Sequence, residues 1–484
     1  MQKLILLIIL IGIITTEEAS LPGFKISLTK PLFDEAIKIL VPLAIKDLQN
    51  MNIPDIDGDF DSPIGKIEYQ FTSIKLNSIS LSNAKLSLVS GGISISISGG
   101  SASLSANWHW KEKSWPHVSD SGSVDIDTSS VSASVSLAIG SDSNGRPTIV
   151  TSSISLDLGS LNVHFHGGDS WLYNLFSGEI SDKIKSSVES EVNSKVKPMI
   201  DQAAEKFLST VPLVEPIDSN VEIDYRLVST PEIEAGKDIM CPLKGEFYYI
   251  PHPHEYPIAP VTMPSTINTE MGQFFISEFV FNSLAFSYYQ TGMLSATVTP
   301  QNVPSWFPFK LNTTAWKDLI PQLFNTYPGQ TMNASIGVNS APVCSISSSG
   351  ILLQIDGFLR VNVIQSSKMA FILNLFANAQ ISMNISDAKI YGNFNNLTTK
   401  MTLNASTIGQ FSLDSLDQIL DLMTQNVLVP LLNELFQKGY PLPVVDGAQL
   451  VEPHFYFYDK YMAITSDFKY TPSNNKIQQN WNWN

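Results

Sequence analysis

The chain carries little charge for its size. Only 15% of its 484 residues are Asp, Glu, Lys or Arg, and the net charge is −16. Its only arginines are Arg146, Arg226 and Arg360. Because phosphate binding requires a basic surface, this composition argues against a nucleic-acid partner and against general attraction to an anionic membrane.

Cysteine is also scarce, with two residues, Cys241 and Cys344. In an oxidising compartment such a pair can form a disulfide, which across so long a loop would stabilise the fold by about 4–5 kcal/mol in the chain-entropy model. Spacing alone does not bring the two residues together. A disulfide and two free thiols are therefore both compatible with the sequence.

Long hydrophobic runs are missing beyond the N-terminus, where none approaches the ~18 residues of a membrane-spanning helix. The N-terminus itself combines Lys3 with an apolar stretch at 4–14 and polar residues after it. This pattern is typical of a secretory signal peptide, which we assign to residues 1–20. A buried N-terminal helix or an uncleaved anchor is the alternative, although the stretch is too short for a span. We expect a secreted, extracellular protein.

Motifs for catalysis and metal binding are missing as well. There is no nucleophile elbow, P-loop, dinucleotide fingerprint or zincin helix. The His-x-His pairs at 164–166 and 252–254 lack an evident third ligand, and the aspartates of 55–61 lack the Glu of an EF-hand, whose twelfth position is Lys66. We therefore expect no enzyme, no metal and no cofactor.

Proline is concentrated at the middle of the chain, where five of the fourteen residues 251–264 are proline. Neither a helix nor an interior strand can run through this stretch. On each side lie an apolar helix, a run of alternating strands and another apolar helix. The sequence thus predicts two like halves of α+β class, in agreement with the two domains that this length favours.

The first half contains two predicted helices and a meander of strands. One helix begins near Thr29, has a wide apolar arc and contains Pro42. The other runs over 169–211, with apolar residues at four-residue spacing and with Pro198 inside it. Between them, residues 64–165 alternate apolar side chains with serine, which predicts half-buried antiparallel strands.

The second half repeats this scheme after further extended pieces. Residues 274–281 and 285–289 are predicted to be strands. A short helix follows at 313–326, then strands between 335 and 403, and a final apolar helix at 412–438.

Tryptophan and lysine are concentrated in the segment 107–117. An indole ring suits a membrane interface, and a lysine reaches headgroups from there. Membrane contact is therefore expected from Trp108, Trp110, Lys111, Lys113 and Trp115. The alternative is that one or more of these tryptophans pack under the end of a barrel.

Acceptor tripeptides for N-glycosylation all lie in the second half. They are Asn312, Asn333, Asn384, Asn396 and Asn404. We expect a glycosylated surface there, and any binding face of that half must avoid these positions.

Taken together in order and spacing, several stretches resemble the lipid-transfer/lipopolysaccharide-binding family, and its bactericidal/permeability-increasing branch most closely. These stretches are 145–149, 161–166, 171–176, 244–248, 281–282, 320–328 and 437–443. The resemblance covers nearly the whole mature chain, from about 21 to 470.

The resemblance implies an α+β fold shaped as an elongated boomerang, in which a central antiparallel sheet joins two similar barrels. Each barrel is a twisted antiparallel sheet wrapped on a long and a short helix. The implied segments are a signal peptide (1–20), an N-terminal lipid-binding barrel (21–225), a central sheet with the proline-rich connector (226–290), a C-terminal lipid-binding barrel (291–465) and a disordered tail (466–484).

Each barrel is then expected to hold phospholipid or a bacterial glycolipid between helices and sheet. The candidate pocket residues are Ile37, Leu40, Val41, Ile45, Leu172, Leu175, Phe176 and Ile180. The implied function is a secreted, monomeric lipid-binding protein that touches membranes transiently and acts in lipid transfer or antibacterial defence. The alternative is a structural or adhesive glycoprotein with solidly packed barrels.

The chain departs from the family in two respects. The family's disulfide between a strand and the long helix is missing, since the matching positions are Thr151 or Ile154 and Lys197. The family's cationic tip is replaced by acidic or mixed loops. This weakens the expectation of electrostatic lipopolysaccharide capture and leaves apolar lipid binding unaffected.

Overall fold

The computed structural model describes residues 21–49, 53–62, 65–115, 117–167, 173–303, 310–386, 389–425, 429–430, 433, 437, 439–442 and 448–470. The predicted signal peptide, the end of the chain after 470 and about a third of the final predicted helix lie outside these residues. None of the helices within the described ranges is long and apolar enough to cross a membrane.

The described chain is mostly β-strand, with five named helices. The strands are β1 (Phe24–Thr29), β2 (Ile56–Ser62), β3 (Gly65–Ser80), β4 (Lys85–Val89), β5 (Gly92–Glu112), β6 (Ser119–Ser141), β7 (Pro147–Asp157), β8 (Asn162–His166), β9 (Val214–Pro216), β10 (Val221–Asp224), β11 (Glu232–Glu234), β12 (Asp238–Leu243), β13 (Glu246–Tyr249), β14 (Gly272–Ser277), β15 (Ser295–Val298), β16 (Met332–Val338), β17 (Val343–Ser347), β18 (Gly350–Val363), β19 (Lys368–Ser386), β20 (Lys389–Ser406), β21 (Tyr440–Pro441), β22 (Ala448–Phe457) and β23 (Tyr461–Tyr470). The helices are α1 (Lys30–Gln49), α2 (Tyr173–Ser209), α3 (Glu278–Gln290), α4 (Pro321–Thr326) and α5 (Asp414–Met423).

These elements pack as two compact units, which confirms the two-part α+β architecture. The N-terminal unit comprises Leu28–Thr210 and Thr230–Met240. The C-terminal unit comprises the described residues of Met1–Ser27, Val211–Ser229 and Cys241–Asn484. The segment 226–290, which we expected to form a central sheet and connector, is divided between the two units.

In the N-terminal unit, strands β2 to β8 form one antiparallel sheet. Its order is β2-β3-β5-β6-β7, with β4 also paired to β5 and β8 to β6. Along β5, Ala102, Leu104, Ala106 and Trp108 are buried, and the residues between them are more exposed. This confirms the half-buried strands that the period-two pattern predicted. Helix α1 packs on β3 and β4, and α2 packs on β7 and β8.

The C-terminal unit contains three sheets. The largest has the order β15-β16-β18-β19-β20-β21, with β17 paired to β18, and a small one has the order β13-β10-β9. In the third, the order is β12-β1-β14-β23-β22. Among its described residues, the C-terminal unit has two large apolar clusters. One contains Phe274 and Met462, and the other contains Ile320 and Leu323.

The structure corrects three predicted elements here. Residues 278–281 and 285–289 belong to α3, which begins after Ser277, whose side chain accepts a hydrogen bond from the backbone N–H of Phe279. The short helix starts only at Pro321, because proline lacks an amide N–H and fits the first helical position. Residues 466–470, predicted to be disordered, complete β23.

The two cysteines are free thiols, so the possible disulfide is not formed. Both lie in the same apolar cluster of the C-terminal unit. Burial raises the pKa of the Cys241 thiol to about 11 and that of Cys344 to about 12. Because the thiolate is the reactive form, both side chains are expected to be chemically inert in the folded protein.

Helix α3 holds the edge of β17 through side chains. The Asn282 amide nitrogen donates to the carbonyl oxygen of Cys344 at 2.9 Å, and the Cys344 amide donates to the Asn282 side-chain oxygen at 2.7 Å. One carboxylate oxygen of Glu278 accepts from the amide of Ile346 at 3.1 Å. A helix side chain thus supplies the hydrogen bonds that a neighbouring strand would otherwise make.

We expect Asn282→Ala to lower the free energy of unfolding of the C-terminal unit by roughly 2–3 kcal/mol, because two buried backbone groups of Cys344 lose their partners. Chemical denaturation measures this loss. Asn282→Asp keeps the oxygen that accepts from the Cys344 amide, so its free energy of unfolding should lie between those of the wild type and the alanine variant. An alanine variant as stable as the wild type would contradict the assignment.

Candidate functional site

An unfilled apolar slot lies inside the N-terminal unit, between the inward face of the sheet and α2. Its free volume is about 10 Å³, room for roughly one water-sized sphere, so the slot is a narrow crevice between packed side chains. Apolar side chains alone line it: Ile56, Phe71, Ile74, Leu104, Ala106, Ile126, Ile184 and Val188. With no charged or hydrogen-bonding side chain in its wall, the slot suits a hydrocarbon chain and offers nothing to a polar ligand.

Two features of the sequence create this slot. On β5, the small side chain of Ala106 leaves room where a larger residue would fill the interior. Among the described side chains of the 37-residue helix α2, buried apolar residues are confined to Ile184, Val188 and Leu208. On the helix side, Ile184 and Val188 line the slot, and among the described side chains of α2 only Leu208 is buried besides them.

The slot lies between helix and sheet, as predicted for the pocket, but none of the eight predicted pocket residues is among the described residues that line it. On α1, Ile37, Val41 and Ile45 are half-buried and do not line the slot. The remaining predicted residues are Leu40, Leu172, Leu175, Phe176 and Ile180; Leu172 and the side chains of the others lie outside what the structure describes. Those five stay predictions.

Sequence reasoning named none of the eight lining residues as pocket residues. Six of them are on strands, where any inward apolar residue of a period-two strand looks like ordinary core. The two on α2, Ile184 and Val188, did carry a signal, since both belong to the run with four-residue spacing. That spacing identified the helix face correctly and did not distinguish packed positions from those beside free space.

The tryptophans of the Trp- and Lys-rich segment 107–117 lie in two different environments, the core and the surface. Trp108 is only 4% exposed, and Trp110 is half-buried against the same core. The expectation that these two tryptophans touch a membrane is therefore wrong, because both occupy inward positions of β5. Trp115 is 87% exposed in the connection between β5 and β6, and Val118 beside it is 49% exposed. These two residues form the exposed apolar tip.

The lysines around this tip are paired with carboxylates. Lys66 and Lys113 approach Asp59 at 3.2 and 3.4 Å, and Lys113 also approaches Glu68 at 3.2 Å. Hydrogen bonding from Lys66 and then Lys113 holds the pKa of Asp59 below its usual range. Lys111 is exposed. The local surface is mixed in charge, as predicted, rather than cationic.

Polar contacts tie α2 to β7 at the predicted position of the missing disulfide. The ammonium of Lys197 donates to the carbonyl of Thr151, and the Thr151 amide donates to the Asp201 carboxylate at 2.6 Å. Lys197 also lies 3.7 Å from Asp201. Thr151 and Lys197 thus meet across the strand–helix contact without a covalent bond.

The Asp201 tie makes stability dependent on pH. Burial raises the pKa of Asp201, but the Thr151 hydrogen bonds and the Lys197 charge together outweigh it, and the net pKa is lowered. The stabilisation is then complete above the unfolded pKa of about 3.9 and is lost as pH falls through the lower folded value.

We expect Asp201→Asn to lower the free energy of unfolding by about 1 kcal/mol at pH 7, since the site is partly exposed, and to cost progressively less as pH falls below the unfolded pKa of about 3.9. Denaturation at several pH values measures the difference. Asp182→Asn, on an exposed position of α2, is the matched control. A deficit that does not change with pH would contradict the role of the carboxylate.

No group of three or more His, Cys, Asp or Glu side chains in the described ranges is placed to hold a metal ion. In the His-x-His pair of β8, His166 contacts a carboxylate instead: its Nε2 lies 2.8 Å from a carboxylate oxygen of Asp125.

Comparison with known proteins decides the family. The model of the LBP / BPI / CETP family, N-terminal domain, matches residues 33–211, and that of the C-terminal domain matches residues 215–470. The chain belongs to the LBP / BPI / CETP family. The resemblance inferred from the sequence is thereby confirmed, and the slot lies within the part matched by the N-terminal domain of the family.

Individual members of the LBP / BPI / CETP family match over nearly the whole chain. Bactericidal permeability-increasing protein of Sebastes schlegelii is 30% identical over 456 residues, which cover 93% of this chain and 96% of that protein. Lipopolysaccharide-binding protein of Homo sapiens is 28% identical over 479 residues, 96% and 97% of the two chains. A crystal structure of lipopolysaccharide binding protein has a TM-score of 0.61 at 26% identity and covers 93% of this chain and 100% of that one.

Proposed function

We propose that this protein is a secreted lipid-binding protein whose slot in the N-terminal unit takes up acyl chains. The observation that carries the proposal is an unfilled space walled only by apolar side chains. Family membership supports it, since relatives of similar length are named for lipopolysaccharide binding and for bactericidal permeability increase. The N-terminal signal pattern supports secretion, and no catalytic chemistry is required.

Uptake of a lipid tail requires α2 to move outward. The free volume of the slot, about 10 Å³, is far below the ~300–1,000 Å³ usual for small-molecule sites. Because α2 buries few apolar side chains among its described residues, a shift away from the sheet loses little packing free energy. Acyl chains between helix and sheet would replace the contacts that the helix gives up.

Phospholipid is the ligand that the surface favours. The lysines Lys66 and Lys113 are engaged with Asp59 and Glu68, so the tip offers few free cations to the phosphates of lipopolysaccharide. The family relationship keeps a bacterial glycolipid as the second candidate, with a role in antibacterial defence. Tight lipid A binding at physiological salt, weakened strongly by added salt, would favour the second ligand over the first.

Native mass spectrometry of the protein secreted by cultured cells tests the proposal. We expect a monomer carrying co-purified lipid, released by organic extraction and identified as phospholipid. Uptake of fluorescent phospholipid from vesicles gives a second readout. A protein that carries no lipid and takes none up would favour the alternative, a structural or adhesive glycoprotein with closed cores.

The apolar tip is proposed to touch the membrane from which lipid is taken. Trp115 and Val118 are the exposed apolar side chains there. We expect Trp115→Ala to weaken binding to phosphatidylcholine vesicles about tenfold, because a large aromatic surface no longer enters the interface. Vesicle co-sedimentation measures this. Val89→Ala, at an exposed apolar residue at the end of β4, is the control and should bind as the wild type does.

A further inference from the structure

The outward face of β19 and β20 in the C-terminal unit is polar but almost uncharged. Along β19 the exposed residues Asn378, Gln380, Ser382 and Asn384 alternate with inward apolar ones. The exposed side chains of the facing strand include Asn393, Asn395, Thr398 and Lys400. Amide and hydroxyl groups thus replace the charged residues that usually keep such a face hydrated.

Three acceptor asparagines are exposed on this face. Asn384 lies near the end of β19, directly opposite Tyr391. Asn396 and Asn404 lie where the register of β19 and β20 shifts, and Asn396 has a positive φ of 49°. A bulge leaves its extra residue outside the regular ladder, so that both side chains project from the sheet.

Hydrogen bonding at two of these residues is compatible with a substituent on nitrogen. Asn396 donates from its amide nitrogen to the Gln380 side chain at 2.9 Å, and Asn404 donates likewise to Asn374 at 2.7 Å. A side-chain amide has two N–H groups. Replacing one of them by a sugar leaves the other to keep the observed bond.

The other two acceptors are placed differently. Asn312 is half-buried, and its side-chain oxygen accepts from the amide of Ala315 at 2.8 Å. Asn333 is half-buried, and its side-chain oxygen accepts from Asn362 at 3.1 Å. Less of each side chain is exposed than at the other three acceptors, and its oxygen is held by a neighbouring residue, so these two positions are less accessible to the glycosylating enzyme.

We propose that Asn384, Asn396 and Asn404 carry N-linked glycans and that Asn312 and Asn333 do not, so that carbohydrate covers one face of the C-terminal unit. The donor is a lipid diphosphate-linked oligosaccharide. The amide nitrogen forms a bond to C1 of the first sugar, the bond from C1 to phosphate oxygen breaks, the lipid diphosphate leaves and the amide loses one proton. The proposal rests on the secretory entry proposed above and is independent of lipid binding.

Such a cover has a physical role in a chain with so little charge. Phe376 is 40% exposed on the same face, between Asn374 and Asn378 along β19. Glycans on the three asparagines would hydrate this face and hinder its contact with other molecules.

The test is site mapping of the protein produced in a mammalian secretory cell. Glycan removal by an amidase in isotopically heavy water converts each occupied Asn to a labelled Asp, which peptide mass spectrometry locates. We expect label at 384, 396 and 404 and none at 312 and 333. Label at 312 or 333 comparable to the other sites, or its absence from all three exposed sites, would overturn the proposal. A chain found unglycosylated in the cytosol would overturn both it and the secretion step, whereas glycosylated protein without lipid would overturn lipid binding alone.

Single-site variants give an independent readout on gels. Asn384→Gln, Asn396→Gln and Asn404→Gln should each remove one step of mobility shift, and Asn333→Gln should remove none. Thr398→Ala and Thr398→Ser keep the Asn396 side chain in place. The alanine variant should lose the glycan at 396 and the serine variant should keep it, which separates loss of the acceptor motif from misfolding. An unchanged Thr398→Ala variant would contradict occupancy at that site.

Discussion

Trp108→Ala is expected to lower the free energy of unfolding of the N-terminal unit by about 3–5 kcal/mol, the range for removal of a large buried aromatic side chain. Trp108 is 4% exposed, and its ring meets Phe165 edge-on at 5.8 Å. Its indole N–H donates to the carbonyl of Ser123 on β6 at 3.0 Å. The substitution removes the packing and leaves that carbonyl without this partner.

Trp115→Ala is the matched control, because Trp115 lies in the same segment and is 87% exposed. Its effect on stability should stay within about 0.5 kcal/mol. Trp108→Phe keeps an aromatic ring and loses the hydrogen bond, so it should cost less than the alanine change. Urea denaturation followed by far-ultraviolet circular dichroism measures all three variants. Equal and small losses at 108 and 115 would mean that Trp108 is not part of the core.

The position of Trp108 shows which parts of the fold could be predicted from the sequence. The period-two pattern predicted the strands of the N-terminal unit, and continuing it from Ala102 places Trp108 and Trp110 on the inward side with Leu104. The membrane hypothesis relied on residue type and ignored this parity. In a strand, parity decides burial, whereas the affinity of tryptophan for interfaces applies only to side chains that are outside.

Helix α3 shows where a local pattern fails. Its sequence is apolar on several sides because the helix is packed on more than one face, with Phe279, Val280, Asn282, Ser283 and Ser287 all buried. A short apolar run of this kind has the same appearance as a buried strand. The deciding interactions are long-range, such as Asn282 with Cys344, and no local window contains them.

The sequence predicted where the candidate site lies, but not which residues line it. Apolar spacing and the resemblance both directed attention to the space between helices and sheet. Free space, however, depends on which inward side chains are small and on how closely a helix approaches. Ala106 of β5 is unremarkable in the sequence and becomes important only because it lines the slot beside α2.

Ala106→Phe is expected to reduce phospholipid uptake at least about tenfold while the protein stays folded. Ala106 lines the slot, and a phenyl ring there would fill space that an acyl chain needs, although overpacking of this kind typically costs ~1–3 kcal/mol of stability. Asn107→Phe is the matched control, because Asn107 is the next residue on β5 and is exposed. It adds a larger apolar side chain to the outward face and should leave uptake unchanged.

Fluorescent-phospholipid uptake from vesicles and native mass spectrometry should agree on the Ala106→Phe variant, with circular dichroism confirming its fold. Val188→Phe approaches the same space from α2 and should give the same loss, which separates occlusion of the slot from a local defect in β5. If both variants fold and still take up lipid as the wild type does, the ligand binds elsewhere in the chain. If Asn107→Phe alone reduced uptake, the outward face of the sheet would be the lipid-binding surface.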